Sequence, residues 1–185
     1  MTTTTHIVTT PSSEKVMVWD IAVRLFHWLM VICFAGAMIT QEMESLRLAH
    51  VAFGYTMVGL VIFRIIWGFV GTRYARFESF MPTLARIKSY VASMATAHPQ
   101  HYLGHNPLGA LSILAMLMLT LLTAASGYIV YEDFGGDFFE EAHEVLANLM
   151  LVVVGVHVAG AVFSNLFHRD RSIRSMIDGY KTPNP

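Results

Sequence analysis

Four long apolar stretches organise this chain, at roughly residues 22–40, 49–70, 107–131 and 143–167, with polar segments between them. Each approaches the ~20 residues that a bilayer core requires, which predicts four membrane-spanning helices. Between the second and third, residues Thr83–Ala97 carry a different pattern. Leu84, Ile87, Tyr90, Val91 and Met94 recur at helical spacing, with Arg86 and Lys88 interspersed. That predicts a short amphipathic helix lying at the headgroups. Asn106 and Pro107 suit the N-cap and first turn of the third span. Trp19 and Tyr131 stand where interfacial aromatics belong. Residues 1–18, Thr-rich at the start, read as a disordered tail and residues 171–185 as a second tail, leaving 19–170 as the membrane domain. The polar leader before the first span, with no small-residue cleavage site after it, predicts a retained span rather than a signal peptide. Short, long and short connections make the four spans an antiparallel bundle, so the fold class is all-α.

Composition agrees. Of 185 residues, 55% are hydrophobic and 14% charged, where a soluble domain carries about 25% charged. The net charge of −1 conceals an asymmetry. Arg73, Arg76, Arg86 and Lys88 follow the second span, and Arg169, Arg171, Arg174 and Lys181 follow the fourth. The connection between spans three and four carries Glu132, Asp133, Asp137, Glu140, Glu141 and Glu144 with no Lys or Arg, and Glu42 and Glu44 face only Arg47 in the first connection. The positive-inside rule then places both termini and the middle loop on the cytoplasmic side of the membrane, with the acidic turns outside. Cys33, the single cysteine, is a small packing residue, and the absence of CxxCH excludes covalent c-type haem. No feature points to nucleic acid, to a phosphate-binding loop or to an activated nucleophile.

The chemistry sits in the histidines. His143 and His157 are fourteen residues apart in one apolar stretch, on nearly the same helix face and about 21 Å apart along the axis. An imidazole inside a membrane needs a compensating partner. With the spans alternating in direction, His27 and His157 share the inner level, and His50 and His143 the outer one. Imidazoles from facing helices, one on each side of a planar macrocycle, are how a bundle core holds a b-type haem iron. Two levels predict two haems b. A bare metal is disfavoured because no Cys, Asp or Glu joins either pair within the membrane. The competing reading of each ring is a hydrogen-bonding group between helices. His6, His98, His101 and His168 fall in polar segments and read as solvated.

Neighbouring residues leave alternatives open. Arg64, fourteen residues after His50, reads either as a propionate partner at the inner level or as a snorkelling cation. Arg24, one turn before His27, is either a propionate partner or an inner-side anchor. His105 is either a cap neighbour or a group that reaches a propionate or a quinone oxygen. Gly54 and Gly160, one turn beyond His50 and His157, either leave room for a macrocycle or allow close helix packing.

The segments RLFHW (Arg24–Trp28), HVAFGY (His50–Tyr55), FRIIWGFVGTRYARFESF (Phe63–Phe80), GHNPLGAL (Gly104–Leu111), HEVLAN (His143–Asn148) and VHVAG (Val156–Gly160) resemble the bacterial cytochrome b561 family. More closely, they resemble the branch that includes b-type cytochrome subunits of nickel–iron hydrogenases, which are expected to be longer. The resemblance implies a four-helix membrane bundle with two b haems that exchanges electrons with quinone. Its ligand positions fall on His27, His50, His143 and His157.

Three functions compete at this point. The first is a di-haem cytochrome b carrying electrons across the membrane between the quinone pool and a redox partner, with the acidic outer turn either docking a c-type cytochrome or dehydrogenase subunit or simply solvated. The partner is a hydrogenase-like complex in one variant of this reading. The second is a self-sufficient superoxide:quinone oxidoreductase. The third is a non-redox transporter or scaffold whose histidines relay protons.

Overall fold

The computed structural model describes residues 15–94, 100, 102–167 and 172–182. His6, His98, His101 and His168 lie outside them. Four helices are long and apolar enough to cross a membrane: α1 (Ile21–Thr40), α2 (Arg47–Val70), α4 (Pro107–Tyr131) and α5 (Gly136–Phe167). The amphipathic helix of the long connection is α3 (Leu84–Met94). Fewer than one residue in five of each span's most apolar stretch is buried by protein, so lipid must cover most of the rest. The chain is therefore a multi-pass membrane protein. α1 packs along α2 and α4 along α5, and the two hairpins meet chiefly where α2 faces α4.

Local chemistry sets the helix ends. The Asn106 side chain accepts from Gly109 N at 2.7 Å, with Pro107 in the first turn, as the sequence predicted. α5 starts at Gly136, seven residues before the apolar run that predicted it. The acidic connection is thus only a tight turn, in which Asp133 and Gly136 take φ of +57° and +56°. Asp137, Glu140, Glu141 and Glu144 lie on the first turns of α5 itself. Carboxylates are favoured there by the helix dipole, which is why a polar stretch continued the helix instead of interrupting it. At 32 residues α5 is about 48 Å long, well beyond a ~30 Å hydrocarbon core.

Residues 1–18 read as a disordered tail and 171–185 as a second tail; the described residues of both form structure. At the end of the bundle opposite the acidic turns, β1 (Val16–Met17) pairs antiparallel with β2 (Tyr180–Lys181), and α6 (Ser172–Asp178) lies between α5 and β2. Val18 and Trp19 donate their backbone N–H groups to Gly179 O. Trp28 Nε1 donates to Met176 O at 3.1 Å, and Arg24 donates to Ile177 O. We call this the clasp end and the other the hairpin end. Trp19 is no lipid-interface anchor: it is 4% exposed, and its indole donates to Ser175 Oγ at 3.0 Å. The partner that withdraws it from lipid lies 156 residues away, beyond any local pattern.

Asp20 organises this end. It caps α1 by accepting from Val23 N at 2.9 Å, and it accepts from Thr72 Oγ1 at 2.6 Å and Trp67 Nε1 at 3.1 Å. Burial pushes its pKa up, but the bonds from Thr72, Val23 and Trp67 outweigh it and hold the carboxyl below its ordinary 3.8.

Candidate functional site

At the hairpin end, His50 on α2 and His143 on α5 face each other with ring centroids 6.2 Å apart. His50 Nδ1 lies 3.0 Å from Ala37 O, and His143 Nδ1 lies 2.9 Å from Thr123 O and 3.2 Å from Ser126 Oγ. A carbonyl only accepts, so each Nδ1 carries the proton and each Nε2 keeps its lone pair. That tautomer would leave each Nε2 free to hold a metal, with the second nitrogen anchored as in metal-bound imidazoles. Gly127 makes room: a Cβ there would stand 2.8 Å from His143 Cε1.

At the clasp end, His27 on α1 lies within electrostatic reach of His157 on α5. His157 Nδ1 is 3.2 Å from Ser112 Oγ, whereas His27 Nδ1 is buried without a partner. Arg64 is 2% exposed, so it does not snorkel. Its Nη2 donates to Ala75 O at 3.0 Å, its guanidinium lies over Phe77 at 5.1 Å, and its buried Nη1 has no partner. Arg24 is tied into the clasp by its bond to Ile177 O, and its buried Nε has no partner.

His105 sits beside this group, between Trp19 and Phe80 at centroid distances of 4.4 and 4.7 Å. Its Nδ1 is buried without a partner. Burial first, then the nearby Arg64, Lys181 and His157, push its pKa down from 6.5 to about 3. The folded chain therefore refuses a proton that the unfolded chain accepts, and this group costs stability progressively as pH falls from 6.5 towards 3. A His105→Phe variant keeps the ring contacts and has nothing to titrate. Its thermal midpoint is expected to fall less steeply with acidification across that window, and an unchanged slope would refute the burial of a neutral imidazole. A cleft of about 660 Å³ opens here, lined among others by Arg73, Tyr74, Arg76, Phe80, Tyr102 and His105.

Residues 18–179 match the profile of the prokaryotic cytochrome b561 family from end to end of the region just described. The chain belongs to that family. Among the relatives of this cytochrome are proteins named probable Ni/Fe-hydrogenase B-type cytochrome subunits. One from Rhizobium leguminosarum bv. viciae is 26% identical over 90% of this chain and 88% of its own length. One from Escherichia coli (strain K12) is 22% identical, with 89% and 90% covered. One from Azotobacter vinelandii is 26% identical, with 90% and 88% covered. No solved structure matches the chain.

A cytochrome b carries haem b, and the residues here fit it. With about 2 Å from metal to nitrogen and about 1 Å more to the ring centre, two imidazoles that held one iron between them would stand about 6 Å apart centre to centre. The His50–His143 pair meets this at 6.2 Å. A Cβ on Gly54 or Gly160 would touch nothing within 4 Å, so neither glycine serves close helix packing in this cytochrome. Among the described residues no group of three His, Cys, Asp or Glu side chains could hold a bare metal ion. Ser112 and Ser126 escaped the sequence reading, although their spacing of fourteen, antiparallel to that of His143 and His157, was available to it.

Proposed function

We propose that this cytochrome holds two haems b, one between His50 and His143 and one between His27 and His157, and carries electrons across the inner membrane between the quinone pool and a redox partner. The observation that carries this reading is the pair of His rings 6.2 Å apart whose Nδ1 atoms are both tied to carbonyls. Bound haem b supplies reversible one-electron chemistry at each level. The four imidazoles would hold it, and Ala37, Thr123, Ser126 and Ser112 orient three of those rings, His50, His143 and His157. Arg64 and Arg24, each with a buried unpartnered nitrogen, are suited to receive propionate oxygens at the clasp end. The aromatic and cationic cleft beside His105 is suited to a quinone ring. The clasp end, with its Arg and Lys residues, is the cytoplasmic side.

The names of the relatives favour a hydrogenase-type dehydrogenase as the redox partner, and the acidic start of α5 offers a basic partner a docking face outside. The test is spectroscopic. Purified protein is expected to show a b-type α-band in the reduced-minus-oxidised spectrum and to be reduced by a quinol analogue without any partner. A colourless protein, or haem that only dithionite reduces, would overturn the reading. Quinone reduction driven by superoxide alone would assign the self-sufficient oxidoreductase instead.

A further inference from the structure

The two histidine levels differ in what their Nδ1 atoms touch. At the hairpin end both are engaged: His50 by the Ala37 carbonyl at 3.0 Å, and His143 by the Thr123 carbonyl at 2.9 Å and the Ser126 hydroxyl at 3.2 Å. At the clasp end, among the described residues, His157 has the Ser112 hydroxyl alone, at 3.2 Å, and His27 has no partner. The serines act as acceptors. Ser112 Oγ donates its one proton to Gly109 O at 2.8 Å and Ser126 Oγ donates to Thr123 O at 2.9 Å, so each oxygen is left to receive the Nδ1–H of the facing ring.

An acceptor on Nδ1–H makes the ring a more basic ligand and favours the oxidised metal, lowering the potential. Charge acts in the same sense. Arg64 and Lys181, both buried, favour the more negative, reduced form at the clasp end, while the Asp20 carboxylate opposes Arg64. At the hairpin end Arg47 stands against Glu42, Glu44, Glu132, Asp133 and the carboxylates of the first turns of α5, all of them exposed, so their field is screened.

We infer that Ser112 and Ser126 are positioning residues in a graded pair of sites, the hairpin-end haem having the lower potential and the clasp-end haem the higher. The downhill direction for each single electron then runs from the hairpin end to the clasp end, one level being oxidised as the other is reduced. This rests on the two-haem reading of the previous section.

The test is a redox titration of the intact protein, fitted to two components, together with haem quantitation. Ser112→Ala removes the one Nδ1 acceptor that the described residues supply at the clasp end and is expected to raise the higher-potential component alone. Ser126→Ala leaves the Thr123 carbonyl in place and is expected to raise the lower component by a smaller shift. Ser112→Thr, which keeps a hydroxyl, is expected to titrate as the wild type does. Should Ser112→Ala move the lower component, or neither, the inference is overturned while the two-haem reading stands. One haem per chain would overturn both, and the quantitation reports that separately.

Discussion

Replacing His143 with alanine is expected to remove one haem of two from the purified protein, halving the α-band amplitude per chain. The effect is large because, among the described residues, no third His, Cys, Asp or Glu groups with this pair. His143 stands against Gly127, where a Cβ would come within 2.8 Å of its ring, and its Nδ1 is fixed by Thr123 and Ser126. His50→Ala is expected to cost the same haem, because it removes the opposite ligand, and His27→Ala or His157→Ala the other one. The pairing makes a sharper demand on double variants. His50→Ala with His143→Ala should still keep one haem, since both ligands serve one site, whereas His50→Ala with His157→Ala should keep none. Haem per chain, measured as the pyridine haemochrome against amino-acid analysis, decides between these outcomes. His168→Ala should retain both haems. Two haems surviving any of the four single changes would show that the pairing is wrong.

What the sequence made legible followed from periodicity and charge, which are local. The third span was readable from Asn106 to Tyr131 because its cap, its proline and its apolar run agree. The levels of His27, His50, His143 and His157 needed only helix rise and alternating direction. The clasp was not readable. Trp19 with Ser175, Arg24 with Ile177, and Trp28 with Met176 are contacts between residues about 150 positions apart, and no pattern along the chain encodes them. The amino-terminal turns of α5 were missed for another reason: carboxylates that read as a loop by polarity are also what a helix start prefers. Arg64 shows a third limit. Its level was predictable, but its burial depends on Ala75, Phe77 and Phe80 folding back over it, which hydropathy cannot foresee.

Asp20→Ala is expected to lower stability by about 2 to 4 kcal/mol at neutral pH. Loss of the α1 cap contributes about 1 kcal/mol. The remainder comes from stranding the Trp67 indole N–H and the Thr72 hydroxyl, at about 1 kcal/mol or more each, and from leaving buried Arg64 with less compensation. The same residue gives the clasp its acid sensitivity. Because the folded pKa lies below 3.8, the charged form's contribution is fully present above that value. It is lost as pH falls through the folded pKa, where both states become protonated. Asp20→Asn separates the two roles. Asparagine still caps α1 but presents one acceptor oxygen where aspartate presents two, so its loss at neutral pH should be smaller than that of Asp20→Ala. Its stability should also lack the component that aspartate gives up below pH 3.8. Thermal unfolding of the three proteins in detergent, followed across acidic pH, reads both effects. Equal midpoints for wild type and Asp20→Ala would remove Asp20 from its place as the residue joining α1, α2 and the loop after it. An Asp20→Asn curve parallel to wild type at low pH would show that its charge does not stabilise the clasp end.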